Sequence, residues 1–214
     1  MTTFPDSPKL LKGGLVLLDP VAGVVRKIVA LQYNPETLSR TLQVQAVGEG
    51  SADPSQALRL KGPAIETLKI DAEIDATDAL AAGDVPNGIA PQLATLETIV
   101  YPSTATLIAN DALSDSGILE ILPMEAPLTL FIWGANRIVP VRITEFSITE
   151  EAFDVNLNPI RAKVSLGMRV LSVTDLGFSH RGGSIYLAYQ RAKEQLAATA
   201  AGGALTSLGI GAIP

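Results

Sequence analysis

The chain has 214 residues, a net charge of −6, one histidine and no cysteine. Without cysteine there is no disulfide, thiolate metal site or cysteine nucleophile, and one histidine rules out any site needing two imidazoles. The acidic balance argues against sequence-independent binding of nucleic acid, which needs a cationic surface, and the length suits one large domain or one domain with a small appendage.

In chain order, Gly14–Leu18 and Val24–Leu31 flank an Asp-Pro-Val-Ala-Gly turn and predict a β-hairpin. Leu38–Val44 alternates after the Asn34-Pro35 turn, and 46–62 is a loop rich in Gly, Pro, Asp and Ser. Glu66–Thr77 is a long half-buried strand. Its residues Leu68, Ile70, Ala72, Ile74 and Ala76 point one way, and Thr67, Lys69, Asp71, Glu73, Asp75 and Thr77 the other. A second loop covers 78–88. One helical face then follows in Ile89, Leu93, Leu96 and Val100, with Pro91 in the first turn and Pro102 ending the run.

Leu128–Trp133 predicts a strand that runs into a Gly134-Ala135-Asn136 turn and then Arg137–Thr149. There Val139, Val141 and Ile143 share one phase, whereas Phe146 and Ile148 take the other, so a β-bulge is expected near Thr144 and Glu145. Arg161–Thr174 alternates again, with Ala162, Val164, Leu166, Met168 and Val170 inward and Arg161, Lys163, Ser165 and Arg169 outward. A second helix is expected after Gly182-Gly183, capped by Ser184, ending at Gly202-Gly203 and burying Ile185, Tyr189, Ala192 and Leu196. The tail from Gln195 to Pro214 carries no charge. Its apolar residues either fold back on their own subunit or lie on a neighbour, and the neighbour is favoured because the two glycine pairs read as joints that let this helix swing out and clasp it. The pattern is mainly β (α+β), an antiparallel sandwich or barrel with one inserted helix and a C-terminal helix.

Charged residues are 18% of the chain, fewer than the roughly 25% usual in soluble domains, which fits a subunit that buries surface against others. No run of about 18 apolar residues predicts a membrane span, and the N-terminus lacks a secretory signal, so a cytosolic chain is expected. Ten acids and no base lie between Lys69 and Arg137, while bases prevail after Val155. Such blocks either dock unlike faces head to tail or fold against each other within one chain.

No constellation of enzyme residues stands out. Asp71, Glu73 and Asp75 share a strand face at steps of about 7 Å, too far apart to chelate one ion together, so no metal and no cofactor are expected. His180 lies in Phe-Ser-His-Arg-Gly-Gly-Ser without a Gly-x-Ser-x-Gly elbow. The sequence holds no P-loop, dinucleotide fingerprint or HExxH motif. Trp133, the single tryptophan, ends an apolar run and is expected to anchor packing rather than to stack on a ligand.

Four stretches in order carry a resemblance. They are Leu31-Gln32-Tyr33-Asn34-Pro35-Glu36-Thr37-Leu38, Ile74-Asp75-Ala76-Thr77-Asp78, Phe131-Ile132-Trp133-Gly134 and Asn158-Pro159-Ile160-Arg161-Ala162. Together they cover about residues 10–175 and resemble the N-terminal domain of the tube-like baseplate proteins of contractile injection systems. The resemblance implies a fold of the phage tail-tube type over 1–176, followed by a C-terminal helix and apolar tail over 177–214, without the LysM domain of many relatives. It implies a structural, non-enzymatic subunit in a homo-hexameric baseplate ring that joins the spike hub to the inner tube. Its partners would be hub and inner-tube proteins of a phage-tail-like particle, assembled in the cytoplasm and then released or surface-attached. The alternatives are an inner-tube subunit proper or a monomeric β-sandwich module for glycans or peptides. The expected interface residues are Asp71, Glu73, Asp75, Arg161, Lys163, Arg169, Leu205, Leu208 and Ile210, and the expected structural residues are Asn34, Pro35, Trp133, Gly134 and Pro159.

Overall fold

The structure, a computed structural model, describes residues 11–19, 22–47, 58–77, 86–115, 126–200 and 202–213. Most of the expected loops 46–62 and 78–88 lies outside the described residues. The strands are β1 (Gly14–Leu18), β2 (Val25–Ala30), β3 (Leu38–Gln43), β4 (Ile65–Asp75), β5 (Leu128–Ile132), β6 (Ile138–Phe153) and β7 (Pro159–Val170). The helices are α1 (Ala90–Glu97), α2 (Thr104–Asp115), α3 (Val173–Leu176) and α4 (Arg181–Thr199), followed by a short 3₁₀ turn at Leu205–Leu208.

All seven strands of the described residues join one sheet in the order β2-β1-β5-β6-β7-β4-β3. Every neighbouring pair is antiparallel. The fold is therefore mainly β with added helices, as the alternation implies. It is not a closed barrel: among the described residues β2 and β3 have no ladder partner on their outer sides. The sheet nevertheless curls, because the Gln32 side chain beyond β2 reaches the backbone of Asp75 at the end of β4.

Period-two burial explains the core. Leu68, Ile70 and Ala72 of β4 and Ala162, Val164, Leu166, Met168 and Val170 of β7 are all buried on the inner face. The β6 ladder shifts register between Ile143 and Glu145, which is the expected bulge. One extra residue lets Ile143 before it, and Phe146 and Ile148 after it, all pack against the same core. α1 buries Leu93 and Leu96, with Ile89 ahead of it and Ile99 behind it also buried. Val100, expected on that face, is exposed, because the helix ends at Glu97 and the chain turns away.

Four further expectations are corrected. Where one helix is expected between β4 and β5, the described residues there form both α1 and α2, and α2 buries no residue. β7 ends at Val170 rather than Thr174, where Ser172 and Asp175 form a capping box that starts α3. α4 begins at Arg181, capped by His180, whose Nδ1 accepts from the Gly182 N–H at 3.0 Å, rather than by Ser184. Its buried face is Gly182, Gly183, Tyr186 and Tyr189, while Leu196 is exposed.

The glycine pair is therefore no joint. A methyl group at position 182 would collide with Leu176, and one at 183 with the carbonyl oxygen of Gly177. Glycine is there so that the root of α4 can lie directly on the α3–α4 turn.

Trp133 stacks on Phe131 with ring centroids 5.8 Å apart and packs half-buried against the core. Gly134, at φ +77°, makes the turn that follows, and Trp133 N–H donates to the Arg137 carbonyl at 2.8 Å. Since the ring is only half-buried, Trp133→Ala should cost about 2–3 kcal/mol, below the ~3–5 of a fully buried aromatic. Urea denaturation measures it, and an unchanged midpoint would show that the indole anchors nothing.

Candidate assembly surfaces

The outer face of the sheet centre is built by register. Opposite one another on β4 and β7 stand Asp75 and Arg161, Glu73 and Lys163, Asp71 and Ser165, and Thr67 and Arg169. Arg161 lies 2.7 Å from Asp75 and 3.5 Å from Glu73. Lys163 turns instead to Glu151 on β6 at 2.6 Å, and the Ser165 hydroxyl donates to Asp71. Arg169, at the far end, meets Asp175 of α3 at 2.7 Å. Lys69 and Glu145 add a looser pair at 3.5 Å. The acidic and basic blocks thus meet inside one chain, and the strip they form remains solvent-facing. Exposed pairs of this kind give only about 0–1 kcal/mol each, so the strip fixes the polarity of a surface more than it holds the fold together.

The strip is most tightly organised at its top end. Thr77 donates both its hydroxyl and its N–H to Asp75, and with Arg161 beside them they hold the Asp75 carboxyl below its ordinary value. The same contact raises the Arg161 guanidinium, and Glu151 raises Lys163. In the β6–β7 turn, Asp154 accepts from the Asn158 side chain at 2.8 Å and from the N–H groups of Asn158 and Asn156, which also lowers its carboxyl. These bonds offset the left-handed φ of +64° at Leu157, a conformation that favours glycine.

Depressed carboxylates stabilise the fold above the ordinary Asp range, and that contribution disappears as pH falls through their lowered values. Stability should therefore drop below about pH 4, and Asp75→Asn with Asp154→Asn should flatten that drop. Thermal melts across the acid range check it; an unaltered acid limb would assign the drop to other carboxylates.

The motif residues tie these surfaces together. Asn34 Oδ1 accepts from Gly13 N–H at 2.9 Å, and its Nδ2 donates to the Leu11 carbonyl at 2.7 Å, so the loop before β3 clamps the start of β1. Pro35 follows it in that loop. The Pro159 carbonyl accepts from Ile89 N–H at 2.8 Å, which seats α1 on the root of β7. Gly88, at φ +57°, lies so close to that carbonyl that a side chain there would collide with it.

Where β3 stops pairing, β4 keeps only its β7 neighbour from Asp71 to Asp75. β2 stands opposite, and the seam between them is bridged by Gln32, which gives 2.6 Å to the Asp75 carbonyl and accepts 2.9 Å from its N–H. The side-chain amide imitates one rung of a β-ladder. Below it lies an open groove of about 330 Å³, lined by β2, β4 and α1 and in part by β7.

One site had no place in the expectations from sequence. Glu66, on the inner face of β4, is buried, and its carboxylate lies 2.8 Å from Arg40 of β3 and 3.0 Å from the Tyr189 hydroxyl. Lys193 lies 3.5 Å away and also sits over the Tyr189 ring. Burial, aided by the Glu66 charge, raises the Tyr189 phenol above its ordinary value. The sequence signal was present: Glu66 keeps the phase of Leu68 and Ile70, which points an acid inward.

Beyond Lys193 nothing described is buried. Leu205 and Ile210 are partly exposed, whereas Leu208 and Ile213 are 74% and 72% exposed. Among the described residues no cluster of three potential metal ligands occurs, and no helix is long and apolar enough to cross a membrane.

A family model described as contractile injection system tube protein matches residues 20–172. A search of curated proteins finds no match. The match takes in every strand from the β2 side of the first hairpin to the end of β7, and all four sequence motifs fall within it. The chain therefore belongs to the contractile injection system tube protein family.

Proposed function

We propose that this structural subunit of a contractile injection system forms a ring of six copies in the baseplate, between the spike hub and the inner tube. The observation that carries the ring is the pair of unlike open edges. β2 exposes Val25 and Ile28, and β3 exposes Leu42, on strands that among the described residues have no outer ladder partner. An exposed strand edge is a template for pairing, and two different edges make a head-to-tail contact that closes into a ring when its rotation closes.

A place at the end of the tube is supported by exposed apolar residues on three separate elements: Leu107 and Ile108 on α2, Leu196 on α4, and Leu208 in the tail. A subunit that stacks only on copies of itself needs fewer unlike surfaces. The charged strip of β4 and β7, with Asp71, Glu73 and Asp75 beside Arg161 and Lys163, supplies a polar face toward the lumen or a neighbour. Assembly in the cytoplasm, within a particle later released or held at a surface, fits this role.

A glycan-binding monomer is the weaker alternative, because the seam groove has no aromatic side chain in its lining. Electron microscopy of the purified chain tests the proposal. Discrete rings, together with labelling at the baseplate end of native particles, support it. Indefinite tubes would make the chain an inner-tube subunit instead, and a persistent monomer would overturn ring formation.

A further inference from the structure

We propose that the C-terminal segment 202–213 of one subunit seats in the seam groove of the next copy. This inference rests on the ring proposed above and specifies the contact that fastens it. The two halves of the contact are both present in one chain, and they do not meet there.

The first half is the tail. It is uncharged from Gln195 onward, so its burial carries no ionic desolvation cost. It also holds a shape without being buried. Gly209 adopts φ +73°, its N–H donates to the Thr206 carbonyl at 3.1 Å, and Ile210 N–H donates to the Leu205 carbonyl at 3.3 Å. These bonds form a Schellman turn, and Ser207 closes its start through the Ala204 carbonyl. A preformed apolar turn loses less conformational freedom on docking than a flexible chain. Leu208 stands at its tip.

The second half is the groove. Ala72 and Ile74 of β4 form one wall, residues of β2 the other, and Pro91, Gln92 and Thr95 of α1 the rim. Its one acidic lining residue, Glu73, belongs to a side of β4 whose charges are matched by Arg161. An uncharged aliphatic turn matches such a lining better than a charged peptide does.

The path of α4 decides which copy supplies the tail. Tyr189 and Lys193 reach Glu66 on β4, and Tyr189 also meets Arg40 on β3, so the helix crosses the sheet toward the β3 edge. From Glu194 every described residue is exposed, so the last turns of α4 run free past Lys193 beside that edge, and the tail would continue from there. The groove is bounded by β2. The groove takes up the Ile28–Gln32 end of that strand, so when the β3 edge of one copy meets the Val25–Lys27 end of β2 of the next, the groove stays open and the tail arrives beside it. Residues 200–204, ahead of the turn, span up to about 14 Å when extended, more than the roughly 5 Å between paired strands.

The absence of cysteine from the 214 residues gives a direct test in this chain. Leu208→Cys and Gln92→Cys are made as separate variants, mixed, assembled and mildly oxidised. A disulfide-linked pair containing one of each variant is expected. In the chain carrying both substitutions, a ladder of linked subunits is expected. Thiol loss there without any increase in mass would place the tail in its own groove and overturn the inference. Rings without a cross-link would overturn it while leaving ring formation standing, and a cross-linked pair without rings would do the reverse. As a second measurement, Leu208→Asp and Thr95→Arg should each reduce incorporation into rings by about tenfold or more. The melting temperature of the free subunit should not move. A fall in that temperature for Leu208→Asp would show that the tail belongs to its own core and would sink the idea.

Discussion

Glu66→Ala should lower the stability of the folded chain by about 2–3 kcal/mol, one of the largest losses available from a single polar side chain here. Removing one member of a fully buried ion pair costs about 3–5 kcal/mol, because the partner is left charged and unsatisfied. The value expected here is smaller because Arg40 and Lys193 keep 30% and 32% of their side chains exposed and can recover water. The Tyr189 hydroxyl, buried beside the carboxylate, has no such escape. Glu66→Gln keeps an acceptor for it and should cost about 1 kcal/mol. The same substitutions should loosen α4, since Glu66 is the point at which that helix is tied to both β4 and β3. Denaturant unfolding gives the energy, and hydrogen exchange of the α4 amides gives the location. Protection of α4 that survives Glu66→Ala would mean that Tyr186 and the glycine contacts hold the helix without the charge network.

How much of this was legible depended on whether a residue's partner lies in its own pattern. The two long strands were readable because β4 and β7 each bury one side only, which imprints a period of two on Leu68–Ala72 and Ala162–Val170. The β6 bulge was readable for the same reason, since a slipped register inverts the phase of Phe146 and Ile148. α2 escaped because it buries nothing: Ile108 and Ala112 do stand at helical spacing, but no packed face marks them out. The start of α4 was misplaced because Gly182-Gly183 reads as a helix breaker, whereas its cause is a tertiary contact with Leu176 and Gly177. The Glu66 network escaped because its partners Arg40, Tyr189 and Lys193 lie 26, 123 and 127 residues away. Only the sheet order and the crossing of α4 bring them together. The opposed charge of β4 and β7 was visible, but the turn of Lys163 to Glu151 and of Arg169 to Asp175 depends on β6 and α3 lying alongside.

Gly183→Ala separates a packing role from a joint by the sign of its effect. If Gly183 were a joint, alanine would stiffen the helix and stabilise the fold by about 0.5–1 kcal/mol through a less free unfolded chain and a better helix former. In the structure the added methyl meets the backbone carbonyl of Gly177, which cannot rotate aside as a side chain would. Gly177 is itself fixed at φ +80° and closes α3 through its N–H to the Val173 carbonyl at 2.9 Å. Alanine at 183 must therefore lift the root of α4 off the turn, disturbing Tyr186 behind it, and should destabilise by about 2 kcal/mol or more, within the range for overpacking. Gly182→Ala should be milder, because it meets the movable Leu176 and Leu128 side chains first. Gly202→Ala serves as the control: a methyl there has no atom within 4 Å, so the change should be close to neutral. Stabilisation by Gly183→Ala would restore a swinging helix, and the whole of α4 rather than its tail would then be the part that reaches a neighbour.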